Sequence, residues 1–223
     1  MGVHYRKINK FINQLTEGDY LEIGIDRGEG STKYFADEAK AHGVNFVGVD
    51  IDQDQIDKAT TNIEVDGELP EHVELHKQRG EVYLRSLLDD NGQAFENSPK
   101  FSMVYLDNYD WNYWLTVPEE SFVEGVKQKY RDILNQEMTN INSQMTHLCQ
   151  AMTMMNSLTD RCIVVADDTW FEEKEGVFLG KCSAAVPFLI IHGFQVLETY
   201  GYRNEDGGCG VILGRGVQEM IAL

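Results

Sequence analysis

Apolar and polar positions alternate along this chain in a pattern that predicts strands and helices in turn. Short apolar runs predict strands at residues 20–25, 45–50, 73–77, 101–106 and 162–166. Apolar residues three and four apart predict helices between the strands, at 5–15, 31–42, 53–62 and from 80 onward. Near the C-terminus, a predicted helix at 180–192 is followed by strands at 194–200 and 209–214. This alternation predicts an α/β fold on a mostly parallel sheet, with a terminal antiparallel hairpin.

The segment from about 116 to 160 has a different pattern, with apolar residues at alternating steps of four and three. These residues are Leu134, Met138, Ile141, Met145, Leu148, Met152 and Met155. The steps resemble a coiled-coil seam. A continuous helix of about 40 residues would be about 60 Å long, which is longer than a compact domain of this size is wide. We therefore expect a helical insertion that either folds as a helix pair on the sheet or pairs with a second copy as a homodimer.

A glycine-rich turn follows the first predicted strand and precedes the first long helix. The turn contains Gly24, Gly28 and Gly30, and the next strand ends on the carboxylate of Asp50. Glycines let backbone N–H groups approach a ligand closely, and a carboxylate at the next strand end can bind a ribose diol. The spacing fits neither the dinucleotide fingerprint nor a P-loop. The pattern predicts a nucleoside site at the strand ends.

The acid-x-Gly-x-x-x-Gly-x-Gly pattern from Glu22 to Gly30 resembles the first motif of class I methyltransferases that use S-adenosylmethionine. The resemblance implies a Rossmann-like seven-stranded sheet with helices on both faces and only the last strand antiparallel. It also implies that the turn wraps the amino-acid part of the cofactor and that Asp50 holds the ribose hydroxyls. The predicted cofactor-binding residues are Glu22, Gly24, Gly28, Ser31, Asp50, Gly80 and Asp107.

Carboxylates end two later strands at the same predicted sheet edge. Asp107 follows one strand, and Asp167 and Asp168 follow the next. Three close carboxylates repel one another unless a cation lies among them, and oxygen ligands suit Mg²⁺. The same residues can instead cap a turn and a helix, since Asp is a favoured N-cap residue. We predict a magnesium site formed by Asp107, Asp167 and Asp168.

These strand ends resemble those of metal-dependent O-methyltransferases of the catechol type. The run from Asp167 to Phe188 also resembles enzymes that methylate macrolide sugars. The resemblance implies a small hydroxylated acceptor, such as a diol, a catechol or a sugar. This chain has Asp110 where the catechol type has a catalytic lysine, so no general base is assigned. Asp110 and His192 are candidates by their chemistry alone.

Composition narrows the classes of partner. The 223 residues are 42% hydrophobic, which is enough for the core of one domain spanning 1–223. A formal charge of −18 argues against nucleic acid as substrate. The four cysteines have no metal-binding spacing, and the sequence contains no apolar segment typical of a signal peptide or a membrane span. We expect a cytoplasmic enzyme with a small-molecule substrate.

The leading hypothesis is therefore a magnesium-dependent O-methyltransferase. The alternatives are a metal-free methyltransferase on another small acceptor and a non-catalytic protein that keeps the fold for assembly.

Overall fold

The computed structural model describes residues 4–15, 17–25, 28–111, 121–201 and 208–218. The strands are β1 (Asp19–Ile23), β2 (Phe46–Asp50), β3 (Val73–Lys77), β4 (Phe101–Leu106), β5 (Leu158–Asp167), β6 (Thr169–Glu172), β7 (Val177–Gly180), β8 (Gln195–Tyr200) and β9 (Gly210–Arg215). The α-helices are α1 (Asn9–Ile12), α2 (Ser31–His42), α3 (Gln53–Ile63), α4 (Gly80–Ser86), α5 (Ser121–Leu134), α6 (Asn140–Met154) and α7 (Ala185–Ile191), with 3-10 helices at His4–Ile8 and Met155–Ser157.

Seven of these strands form one sheet in the order β3-β2-β1-β4-β5-β9-β8. The pairs from β3 to β5 are parallel, whereas β9 runs antiparallel to both of its neighbours. This confirms the predicted fold class. The chain moves outward from β1 to β3 and then returns to place β4 on the other side of β1. Open α/β sheets bind ligands at such a reversal of strand order, beyond the carboxyl ends of the strands.

The alternation of side chains along the strands produces two core clusters. Leu21 and Ile23 belong to one cluster, whose helical members come from α4, α6 and α7. Tyr20 belongs to the other cluster, which includes Phe11 from α1 and Phe35 from α2. Neighbouring side chains of a strand point to opposite faces, so both faces of the sheet are covered by helices.

Two local expectations differ from the structure near the C-terminus. A two-stranded hairpin of β6 and β7 was not predicted, and the helix expected at 180–192 begins only at Ala185. Gly180 belongs to β7, which pairs with β6, and residues 181–184 form turns before the helix begins. Apolar residues in such a short stretch fit either structure, so the strand pairing decides between them.

The expected long helix is interrupted. After α5 ends at Leu134, Asn135 has a φ of +51°. The helix α6 then starts at a new N-cap, where the Thr139 hydroxyl accepts a hydrogen bond from Asn142 N at 3.1 Å. A left-handed residue ends a helix, and a threonine cap starts one. The described residues therefore form two separate helices in place of one continuous helix.

The helix α6 packs on the sheet through a face other than the predicted seam. Its buried residues include Ser143, His147 and Ala151, whereas Ile141 is 70% exposed. Met145 and Met152 are exposed as well. Neither α6 nor the adjacent α7 contains Asp, Glu, Lys or Arg. The part of the predicted seam exposed on α6 is thus an uncharged apolar surface, and the homodimer stays a prediction.

One carboxyl lies inside the core. Glu22 is in the central strand β1 and is completely buried. Burial raises the pKa of Glu22 to about 8, and the hydroxyls of Ser31 and Thr32 oppose this rise only in part. A group with a raised pKa in the folded state stabilises that state below its unfolded pKa and loses this contribution as the pH rises. Glu22 therefore makes the fold less stable in alkaline solution.

The substitution Glu22→Gln tests the burial of this carboxyl. Between about pH 5 and about pH 9 the wild type is expected to lose about 4 kcal/mol through Glu22. The variant cannot ionise, so its melting temperature should fall less over the same range. Thermal unfolding followed by circular dichroism at several pH values measures the difference. The exposed control Glu64→Gln should keep the wild-type dependence, and equal slopes for Glu22→Gln and wild type would contradict the assignment.

Self-association through the exposed face of α6 is tested by light scattering. Two chains of charge −18 repel each other, so an uncharged face is where two copies can approach. We expect a mass of twice the 25.4 kDa of one chain at high micromolar concentration. Met145→Glu should reduce the mass to that of one chain, whereas Val65→Glu, at an exposed valine outside α6, should not. A monomeric wild type would reject the homodimer.

Candidate functional site

A cavity of about 380 Å³ lies at the carboxyl ends of the parallel strands. Its walls include Gly24 after β1, Asp50 at the end of β2, Asp107 after β4, and Asp167 at the end of β5. The volume is in the range typical of small-molecule sites. The cavity therefore occupies the position at which the strand order predicts a ligand.

The turn after β1 brings two strand ends together at Gly24. Its φ is +97°, and a Cβ there would lie 2.6 Å from Asn108 N and 2.7 Å from the carbonyl carbon of Asp107. A side chain at this position would both strain the backbone and clash with the segment after β4. Gly24 thus lets the turn after β1 lie directly against the segment after β4 at the wall of the cavity.

Asp50 is held in place by the backbone. Its Oδ2 accepts a hydrogen bond from Ile25 N at 3.2 Å, and its Oδ1 accepts one from Asp52 N at 2.8 Å. Burial raises the pKa of Asp50, and these hydrogen bonds and the nearby Lys129 oppose the rise. Lys129 comes from α5 and forms an ion pair with Asp52 at 2.7 Å. The helical insertion therefore contributes to the wall around Asp50.

The other predicted cofactor residues are distributed around the cavity. Gly80 lines it as the first residue of α4. Gly28 lies against Ala59 of α3, and Glu22 is buried in β1. Ser31 is the first residue of α2. Of the seven predicted residues, Gly24, Asp50, Gly80 and Asp107 line the cavity directly.

The strand register brings the three predicted metal aspartates together. Leu106 pairs with Ala166, so the residues that follow, Asp107 and Asp167, lie side by side. Asp168 has a φ of +47°, a left-handed conformation that Asp tolerates better than most residues. Carboxylate oxygens of Asp107, Asp167 and Asp168 lie within 4.8 Å of one another.

A lysine that the sequence did not assign to the site lies among these aspartates. Lys181 Nζ is 2.8 Å from Asp107 Oδ1 and 2.9 Å from Asp168 Oδ2. Its side chain is only 4% exposed. Gly180 makes this placement possible, because a Cβ at its φ of +99° would lie 2.0 Å from the carbonyl oxygen of Asp168. The β6–β7 hairpin thus delivers a buried ammonium to the carboxylates.

Charges in this cluster depend on one another. Burial raises the pKa of Asp167 well above its ordinary value, and the charges of Asp107 and Asp168 raise it further. Burial alone would lower the pKa of Lys181, but the neighbouring aspartates raise it well above its ordinary value. Lys181 is therefore a cation at neutral pH and does not serve as a general base.

The donor set fits a divalent cation only in part. Three carboxylates at this separation are ligands that Mg²⁺ accepts. The ammonium of Lys181, however, already pairs with two of them. A metal bridging these oxygens would lie directly beside that positive charge. The residues as arranged therefore do not fit magnesium, and the geometry does not support the predicted ion.

The two candidate bases differ in position. Asp110 lines the cavity, and its Oδ2 accepts a hydrogen bond from the Tyr130 hydroxyl at 3.1 Å. His192 is exposed and does not line the cavity.

The signal that could have identified Lys181 was its position directly after a glycine in the segment that follows Asp168. Which side chain it would contact depended on the unpredicted hairpin.

Comparison with known proteins identifies the fold. No protein-family model matches the chain, and no curated protein matches it. A Clostridium thermocellum protein described as a candidate rRNA methylase has 16% identity and a TM-score of 0.54, covering 97% of this chain and 95% of its own. The N-methyltransferase NodS from Bradyrhizobium japonicum WM9 has 11% identity and a TM-score of 0.53, covering 97% and 94%. The O-methyltransferase from Bacillus cereus, in complex with SAH, has 12% identity and a TM-score of 0.56, covering 96% and 79%.

These three similar structures are described with three different kinds of methylation. A shared fold at such low identity therefore does not decide the acceptor, which must be argued from the site. The strand order and the cavity at the carboxyl ends of the strands agree with the comparison. The chain thus has the fold of the class I S-adenosylmethionine-dependent methyltransferases.

Proposed function

We propose that this protein is an S-adenosylmethionine-dependent methyltransferase that methylates an oxygen of a small hydroxylated molecule. The observation that carries the proposal is the single cavity wall shared by Gly24, Asp50 and the aspartates of β4 and β5. The part with Gly24 and Asp50 suits a nucleoside, and the part with the aspartates of β4 and β5 suits a hydroxyl group. The two parts are about 10 Å apart, because β1 separates β2 from β4 and strands are spaced by about 4.8 Å.

The cofactor half of the proposal rests on two features. Gly24 lines the cavity in a turn that lies directly against the backbone after β4, and Asp50 presents a carboxylate fixed by two backbone N–H groups. A carboxylate at this strand end can accept hydrogen bonds from both hydroxyls of a ribose. When bound, S-adenosylmethionine supplies a methyl group on a positively charged sulfur. The surrounding carboxylates favour a ligand of positive charge.

The acceptor half rests on the polar groups beside Asp107. Lys181 Nζ can donate a hydrogen bond to the acceptor oxygen, while carboxylate oxygens of Asp107 and Asp168 can accept the hydroxyl hydrogen. Such a pair of contacts orients the oxygen and favours its deprotonation. Trp111 directly follows Asp110 of the cavity wall, and its ring lies edge-to-face against that of Trp170 with centroids 6.4 Å apart. Their rings either stack on a sugar or aromatic acceptor or complete the packing beneath it.

Charge, the predicted metal ion and the helix lengths bear on the acceptor and on the alternatives. The charge of −18 favours a small acceptor over nucleic acid. A magnesium ion at the three aspartates stays the alternative form of the same reaction that the sequence predicts, although Lys181 already pairs with two of the three carboxylates. In the described residues, no helix is long and apolar enough to cross a membrane. The contrasting class is a protein that keeps the fold without catalysis.

Calorimetric titration with S-adenosylmethionine tests the cofactor site. We expect saturable binding by the wild type and roughly tenfold to hundredfold weaker binding by Asp50→Ala, because a hydrogen bond to a charged group contributes about 1.5–3 kcal/mol. The exposed Asp54→Ala, from α3 close to Asp50, is the matched control and should bind as the wild type does. Absence of saturable binding by the folded wild type would reject the enzyme and favour the non-catalytic alternative.

A screen of methyl acceptors tests whether the protein methylates a hydroxyl oxygen. Incubation with S-adenosylmethionine and catechols, vicinal diols or sugars should add one methyl group to a hydroxyl, detected by mass spectrometry. Asp168→Asn should lower kcat by about tenfold or more, in the range of a lost acid–base contact, while leaving cofactor affinity unchanged. Methylation of amines alone would contradict the proposed oxygen acceptor.

A further inference from the structure

Lys181 provides the positive charge at the place where the sequence predicts a metal ion. Among the described residues it is the only lysine or arginine that is buried. Its Nζ also lies 3.5 Å from the carbonyl oxygen of Asp107, in addition to the two carboxylates. An ammonium has three donors and no acceptor, so the two carboxylates take two of its N–H groups and the long contact to the carbonyl leaves the third for a ligand.

The backbone around Lys181 fixes the ammonium in this position. Lys181 N donates to the carbonyl oxygen of Asp168 at 3.1 Å. The next residue, Cys182, donates its N–H to Thr169 Oγ1 at 3.0 Å. Both contacts join the segment after β7 to the segment after β5. The side chain is thus anchored at its base as well as at its tip, and it has almost no exposed surface.

The shared oxygens make an ammonium and a divalent cation alternatives at this site. Three buried or half-buried carboxylates require a nearby positive charge, and Lys181 supplies one. Mg²⁺ binds oxygens at about 2.0–2.1 Å, so an ion shared by Asp107 and Asp168 would lie in the space that borders Nζ. Removing the ammonium from its partners would leave it buried without compensation. The two cations therefore compete for the same oxygens.

We propose that Lys181 replaces the divalent cation in this protein and that its site works without a metal. In the proposed methyl transfer, on which this assignment of a role rests, the Lys181 ammonium contacts the acceptor oxygen in place of a metal ion. It then has two tasks, because it pairs with Asp107 and Asp168 and directs its third N–H toward the acceptor oxygen in the cavity. The competition between cations itself concerns only the folded chain and does not depend on the cofactor.

Titration with Mn²⁺, a spectroscopic substitute for Mg²⁺, tests the proposal on the full chain without cofactor. Free Mn²⁺ is followed by electron paramagnetic resonance at about 0.15 M salt, which screens the exposed surface charges. We expect the wild type to show no saturable site up to millimolar Mn²⁺. Lys181→Met should create one site that binds at least tenfold more tightly. Adding Asp168→Asn to Lys181→Met should abolish this gain.

The matched control is Lys129→Met. Lys129 lines the same cavity but pairs with Asp52, not with the three aspartates. Its removal lowers the positive charge of the cavity equally, yet it should not create a Mn²⁺ site. If Lys129→Met gained the same affinity, general electrostatics would explain the effect and the proposal would be wrong.

The wild-type titration alone can overturn the proposal, even if Lys181→Met does not fold. A single tight Mn²⁺ site in the wild type that is lost in Asp168→Asn would show that a metal and Lys181 coexist. A folded Lys181→Met that gains no site would show that the aspartates do not require a cation. Either result would leave the cofactor titration with Asp50→Ala unaffected, so this failure is distinguishable from failure of the proposed methyltransferase.

Discussion

The ion pairs of Lys181 with Asp107 and Asp168 connect the three parts of the chain that form one side of the cavity. Asp107 follows a central parallel strand, Asp168 follows its neighbour, and Lys181 follows the small hairpin. Carboxylates at adjacent strand ends repel one another in a poorly hydrated site. The fold can place them there because a buried ammonium compensates their charge. The hairpin that carries the ammonium is thus required for the site and not merely for the connection between strands.

Close backbone contacts make this arrangement possible. Gly24 lets the turn after β1 touch the segment after β4, and Gly180 lets the hairpin touch the carbonyl group of Asp168. Both glycines have a positive φ, and in both cases a Cβ would overlap with a neighbouring backbone atom. The cavity therefore depends on two points at which the chain has no side chain. Around it, α5 contributes Lys129 and Tyr130, so the helical insertion forms part of the wall and does not project away from the sheet.

The regular part of the fold could be predicted closely from the sequence. The bounds of α2, β3 and β4 agree with those predicted, because apolar periodicity and helix-ending glycines act locally. Asp50, Asp107 and Asp167 were placed at one edge because parallel strands end on the same side of a sheet. The periodicity was misleading in α6, where the regularly spaced methionines are exposed and the buried face contains Ser143, His147 and Gln150. Polar residues can be buried there because the surrounding fold, not their hydropathy, sets their position.

The sequence by itself determined the α/β class with its terminal antiparallel hairpin and the group of carboxylates at the sheet edge. Each of these follows from local patterns or from the general geometry of parallel sheets. The tertiary structure alone decided that the insertion breaks at Asn135 and that Lys181 reaches the aspartates. The contact between Lys181 and Asp107 joins residues 74 positions apart. It arises only when the hairpin pairs and Gly180 packs against Asp168, and no periodicity along the chain encodes that pairing.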